Sequence, residues 1–136
     1  MNGARWVQET LLEARQDADL RAYAIWFSMY PTDLRERWPA DVLTDPRVLH
    51  WWDEERAVGR WYAAHAESMA GELAPGASPL GGTILWDAYL VYGPESRWEE
   101  SGPTGLRRWG RTILQTRDAL QQAVDTLVKA EGTPGN

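Results

Sequence analysis

The chain has 136 residues, 43% of them hydrophobic, a formal charge of -6, nine Trp and no Cys. That length suits one domain with one core, and 25% charged residues beside an ordinary apolar fraction exclude a disordered or collagen-like chain. The missing cysteines exclude disulfides, thiolate zinc sites, iron–sulfur clusters and every thiol mechanism, and the acidic balance argues against gripping a nucleic-acid backbone.

The opening stretch, Met1 to Glu9, lacks the uninterrupted apolar run of a signal peptide. The longest apolar run, Ala22 to Phe27, is far short of the ~20 residues that span a bilayer. A cytoplasmic protein without membrane contact is expected. From Ala4 to about Ala18, Val7, Leu11, Ala14 and Ala18 keep helical spacing. Leu20 to Ser28 is a short apolar, aromatic and branched run that suits a strand buried on both faces of a parallel sheet. Pro31-Thr32-Asp33 opens a short helix through Trp38, and Pro39 and Asp45-Pro46 break the next stretch into turns.

Val48 to Trp52 reads as a second strand. Asp53-Glu54-Glu55 then suits a helix N-terminus, where carboxylates meet unpaired N–H groups, and the helix runs to about Met69. Gly71 to Gly82 is a long loop of Gly, Pro, Ala and Ser. Thr83 to Tyr92 reads as the best strand, closed by Gly93-Pro94, with Arg97-Trp98 starting a return strand. Pro103-Thr104 caps a last long helix with Leu106, Trp109, Ile113, Leu120, Val124 and Leu127 in register. A disordered tail is expected over residues 132–136, behind a single domain over 1–131.

Strands alternating with helices imply a βαβ unit, and a hairpin followed by a C-terminal helix is more particular. With Asp53 to Tyr62 as the connecting helix and the Gly71–Gly82 loop leading into the Thr83 strand, the order resembles the thioredoxin-like superfamily. The resemblance covers about Ala4 to Val128 and implies an α/β, three-layer fold with a mixed sheet. Two features depart from it. The first strand and the Cys-x-x-Cys motif are missing, and Pro79, the nearest match to the family's cis-proline, is separated from Thr83 by Leu80-Gly81-Gly82. Both departures put the family's oxidoreductase activity out of reach of this chain. A missing strand leaves a sheet position uncovered, and uncovered edges seek pairing, so a homodimer or a protein partner is expected.

In parallel α/β sheets the functional edge lies at the carboxyl ends of the strands. That places Ser28, Met29, Tyr30 and Asp33, with the Pro79 loop, at a candidate binding edge. Asp87, between Trp86 and Tyr89 in a strand that reads as core, is a second candidate, because a buried carboxylate is either paired or shifted in pKa. Its competing reading is a structural hydrogen bond. Trp51, Trp52 and Trp86 serve either as aromatic walls of a ligand site or as core bulk in a chain with one Phe. Trp98, Trp109 and Tyr92, near Arg107, Arg108 and Arg111, suggest an anion site or a solvated basic face. His50 and His65 fit no metal-ligand spacing, and Ser28 lacks the Gly-x-Ser-x-Gly elbow of a hydrolase.

The expected function is therefore a redox-inactive binding or interaction module that self-associates, with no cofactor, metal or nucleic acid. Two alternatives stand beside it. One is a truncated thiol-disulfide oxidoreductase whose Cys-x-x-Cys segment lies upstream. The other is a small-molecule-binding protein or enzyme using Asp87 and nearby aromatics.

Overall fold

The computed structural model describes residues 2–38, 41–65 and 83–131. The first helix begins earlier and ends sooner than its apolar spacing predicts. It runs as α1 (Asn2–Trp6), a widened π-helical stretch over Val7–Leu12 and a tight 3-10 turn over Glu13–Arg15. In the widened part the Glu13 N–H donates to the Gln8 carbonyl, five residues back. The carbonyls at the end of a helix have no partners within it. Here the Arg47 guanidinium supplies them, donating to the carbonyls of Leu12 (2.8 Å), Arg15 (2.7 Å) and Ala18 (3.0 Å). Buried Gln8 completes the attachment, its side-chain oxygen accepting from the Thr44 and Asp45 N–H groups at 3.0 and 3.1 Å.

The two short apolar runs form a parallel pair as expected, β1 (Ala22–Trp26) beside β2 (Val48–Trp52), in the register Ala22 to Val48 through Trp26 to Trp52. One face packs on the first helix, where Ala22, Ala24 and Trp26 meet buried Leu12, Leu43 and Val48. The other face is open. Tyr23 is 61% exposed, Leu49 44% and Trp51 59%, so the expectation that the Leu20–Ser28 strand is buried on both faces is corrected. Among the described residues, the segment joining the strands holds a 3-10 turn over Arg35–Arg37 in place of the expected helix. Leu34 and Trp38 flank it with extended backbone, and Trp38 precedes Pro39, whose ring disfavours helical geometry in the residue before it.

Helix α2 spans Ala57–Ala64. Asp53 takes the role its sequence position predicts, its carboxylate accepting from the N–H groups of Ala57 (3.0 Å) and Val58 (2.8 Å). The 84–85 segment crosses this helix at Gly59, where the Leu85 N–H donates to the Gly59 carbonyl at 2.8 Å. The Gly71–Gly82 loop, Met69 and the tail beyond 131 lie outside the described residues.

Strand β3 covers Ala88–Tyr92, shorter than the expected Thr83–Tyr92. Its antiparallel partner is β6 (Leu106–Arg111), a segment whose apolar spacing predicts the start of the last helix. Leu106 and Trp109 satisfy a helical period, but cross-strand pairing decides: Leu90 lies opposite Trp109 and Tyr89 opposite Gly110. Gly110 leaves room for the Tyr89 ring, since a Cβ there would stand 2.5 Å from its hydroxyl oxygen. The expected return strand at Arg97-Trp98 pairs elsewhere, β4 (Trp98–Glu99) meeting β5 (Gly102–Pro103) in a small ribbon. Helix α3 then runs over Arg117–Glu131.

The architecture is mixed α/β. Among the described residues its strands form three separate two-stranded sheets, where one mixed sheet is expected. The two faces of β3 serve two apolar clusters. Tyr89 and Val91 pack with Leu11, Leu120 and Val124 from the first helix and α3, while Ala88 and Leu90 pack with Leu85, Trp109 and Tyr62. Arg15 ties the same two helices together, donating to the Asp125 carboxylate at 2.5 and 2.9 Å.

Candidate functional site

The parallel register places Trp26, His50 and Trp52 on one face of the β1–β2 pair, and Trp38 folds onto that face from the preceding segment. Its ring lies 5.8 Å from Trp26, 5.6 Å from His50 and 6.0 Å from Trp52, tilted by 56–60° to each. Beside this group a cavity of about 320 Å³ is lined by Arg35, Trp38, His50, Trp51 and Trp52. The surface facing it is mostly polar, and Arg35, exposed in the 3-10 turn, is the one cation among these lining residues.

The hydrogen-bond partners of His50 select its tautomer. An indole N–H can only donate, and Trp26 Nε1 lies 3.0 Å from His50 Nδ1, so Nδ1 carries the lone pair. The proton is on Nε2, which donates to the Leu43 carbonyl at 2.9 Å. The His50 ring lies edge to edge with Trp26, its centroid 6.1 Å away and its plane tilted by only 11°.

The structure brings Ser28, Met29, Tyr30 and Asp33 together in one turn. The Asp33 carboxylate accepts from the Met29 N–H (3.0 Å) and the Tyr30 N–H (2.9 Å), and the Ser28 hydroxyl donates to the Asp33 carbonyl. These polar groups satisfy one another, as in an Asx-turn. Tyr30 reaches out of the turn to set its ring edge-on to Trp86 at 6.2 Å, and the Arg111 guanidinium lies 5.5 Å from the Trp86 centroid. Asp87, expected as a buried carboxylate in a strand, lies before β3 with φ 49° and is exposed. Water solvates the charge there, so the cost that singled it out does not arise. Tyr89 is buried, its hydroxyl donating to the Thr116 carbonyl at 3.4 Å, and belongs to the core. Trp51 and Trp52 are the sequence candidates that line the cavity, and Pro79 lies outside the described residues.

The expected Trp98–Trp109–Tyr92 group does not assemble. Trp98 packs against Trp61 at 5.1 Å, Trp109 is buried against Leu85, and the Tyr92 hydroxyl hydrogen-bonds that of Tyr62 at 2.9 Å. Burial pushes both phenols above their ordinary range, so neither ionises near neutral pH. Arg107 pairs with Glu95 and Arg111 faces Trp86, which divides the basic cluster. Among the described residues, no three or more His, Asp or Glu side chains converge as metal ligands, and no helix is long and apolar enough to cross a membrane.

Sequence reasoning missed Arg35, Trp38 and the packing role of His50. The period-2 spacing of His50 and Trp52 carries part of the signal, but only the register with Trp26 unites the group. No protein-family model, curated protein or solved structure matches the chain.

Proposed function

We propose that this chain is a redox-inactive, thioredoxin-like interaction module that binds a second copy of itself through the β1–β2 sheet. The observation that carries the reading is the open face of that sheet, where Tyr23, Leu49 and Trp51 stand exposed beside one another. Parallel pairs in folded proteins are covered on both faces, and an apolar patch left in water favours association. The four residues that alternate onto this face, Tyr23, Ile25, Leu49 and Trp51, carry no charge. Two copies therefore meet there without like-charge contact from the strands, despite the net charge of -6.

The strand edges support the same reading. Ala22 donates to the Arg47 carbonyl, and the Trp26 carbonyl accepts from Asp53. In a parallel ladder this turns the odd-numbered backbone groups of β2 inward and those of His50 and Trp52 outward. Among the described residues no third strand joins either edge. The chain has no cysteine for thioredoxin-like redox chemistry.

Sedimentation velocity across the micromolar range tests this. The natural chain is expected to shift from monomer to dimer with concentration, and the double variant Tyr23→Lys/Leu49→Lys to remain monomeric while keeping its circular dichroism. A natural chain that is strictly monomeric throughout overturns the proposal.

A further inference from the structure

We infer that the free edge of β2 is a docking site for an extended peptide segment of a partner protein, which adds a third strand there and turns an acidic side chain to Arg35. The cavity of about 320 Å³ locates the site. It touches three consecutive residues of β2, His50, Trp51 and Trp52, and none of β1. Consecutive strand residues alternate between the two faces, so a space that meets all three lies along the edge of the strand and not over either face. Trp51 keeps its exposed ring on the open sheet face, and the groove takes the flank of the strand.

This edge is polar and unpaired. His50 and Trp52 turn their N–H and C=O groups outward, and among the described residues no backbone group bonds to them. Val48 lies on the same edge, but its N–H already donates to the Asp45 carbonyl at 3.0 Å. Two donors and two acceptors therefore face a half-open groove whose surface is mostly polar. Donors and acceptors that recur at about 6.6 Å, twice the rise of one strand residue, match an extended polypeptide backbone. In either direction such a strand makes four hydrogen bonds to His50 and Trp52.

Charge selects the partner. Arg35 lines the groove with no ion-pair partner among the described residues, and no acidic residue lines it. An acidic side chain on the added strand supplies that partner. The β2 strand of a second copy, Val-Leu-His-Trp-Trp, has no carboxylate to offer and would bring its own Arg35 into the same groove, setting two cations together. The inference therefore goes beyond self-association, which uses the open face and leaves this edge free.

The probe is the peptide acetyl-Thr-Val-Glu-Val-Thr-amide, titrated into isotope-labelled protein and followed by nuclear magnetic resonance with amide hydrogen exchange. Saturable binding is expected to slow exchange at the His50 and Trp52 amides, while Leu49 and Trp51, already bonded to β1, change little. N-methylation of the peptide's second and fourth residues, or of its first, third and fifth, is expected to abolish binding in one phase only, because alternate N–H groups of a strand point to one edge. Replacing its Glu by Gln is expected to weaken binding roughly two- to fivefold, the range of an exposed ion pair. Arg35→Gln is expected to erase that ratio while still binding the peptide. Because Arg35 is exposed, its variant keeps the fold, which circular dichroism verifies.

No saturable binding, equal effects of the two methylation phases, protection centred away from His50 and Trp52, or a Glu-to-Gln ratio unchanged in Arg35→Gln overturns the inference. Protection of those two amides that appears without peptide and fades on dilution also overturns it, and assigns the edge to a second copy. Sedimentation of the same samples reports on the dimer separately, so failure of one reading does not imply failure of the other.

Discussion

The indole N–H of Trp26 donates to Nδ1 of His50 at 3.0 Å across the two parallel strands, and this bond decides which tautomer the histidine adopts. Trp26→Phe keeps an aromatic ring on β1 and removes the donor, leaving a half-buried acceptor unpaired. The expected loss is about 1 kcal/mol in urea unfolding. In the double-mutant cycle with His50→Phe, the two losses are expected to be less than additive, because the second change removes a group already without its partner. Strict additivity would show that the bond contributes nothing.

Asp45 and Arg47 give the fold an acid limit. The Arg47 side chain, then its backbone N–H, holds the Asp45 carboxyl down at about 2 from an ordinary 3.8. A carboxyl whose pKa is lower in the folded state stabilises the fold above its unfolded value, and that contribution disappears as pH falls through the folded value. The melting temperature is therefore expected to drop as pH falls from about 4 towards 2, with part of the drop due to this group. Asp45→Asn is expected to be less stable at neutral pH and flatter across that window. Thermal melts at a series of acid pH values check both. An identical slope in the variant would remove Asp45 from the account.

Gly59 tests the crossing of α2 by the 84–85 segment. A Cβ there would stand 2.8 Å from the Leu85 carbonyl oxygen and 2.9 Å from an Ile84 methyl carbon. On an unobstructed helix, Gly→Ala would gain about 1 kcal/mol in helix propensity. Here the clash with backbone costs about 1–3 kcal/mol and strains the Leu85-to-Gly59 hydrogen bond. Gly59→Ala is expected to lower stability by up to about 2 kcal/mol, read by chemical denaturation. A more stable variant would mean that the segment moves aside freely.

Trp109 is 3% exposed, and its indole N–H has no hydrogen-bond partner among the described residues. An unpaired buried donor costs about 1–3 kcal/mol, so the side chain carries both a packing gain and a polar loss. Trp109→Phe keeps most of the packing and removes the donor, and is expected to stay within about 1 kcal/mol of the natural chain. Trp109→Ala is expected to lose about 3–5 kcal/mol. Equal losses in the two variants would show that the indole nitrogen is paired.

The sequence determines those elements whose cause is local. Val48–Trp52 is a strand because an uncharged apolar run is bounded by Pro46 and by three acidic residues, and Asp53 serves the α2 N-terminus because a short carboxylate reaches nearby N–H groups. The absence of thiol chemistry is likewise read directly from a chain without cysteine. Tertiary structure decides wherever two local readings are equally good. Leu106–Arg111 satisfies a helical period, and only its pairing with β3 makes it a strand. Asp87 reads as core by its neighbours, and only its place ahead of β3 leaves it in water. The aromatic cluster is the clearest case. Trp26, Trp38, His50 and Trp52 are spread over 27 residues, and no spacing along the chain brings them together. A parallel register and a chain reversal at Arg35–Arg37 do so, because side-chain contacts across strands follow from pairing, which sequence order does not contain.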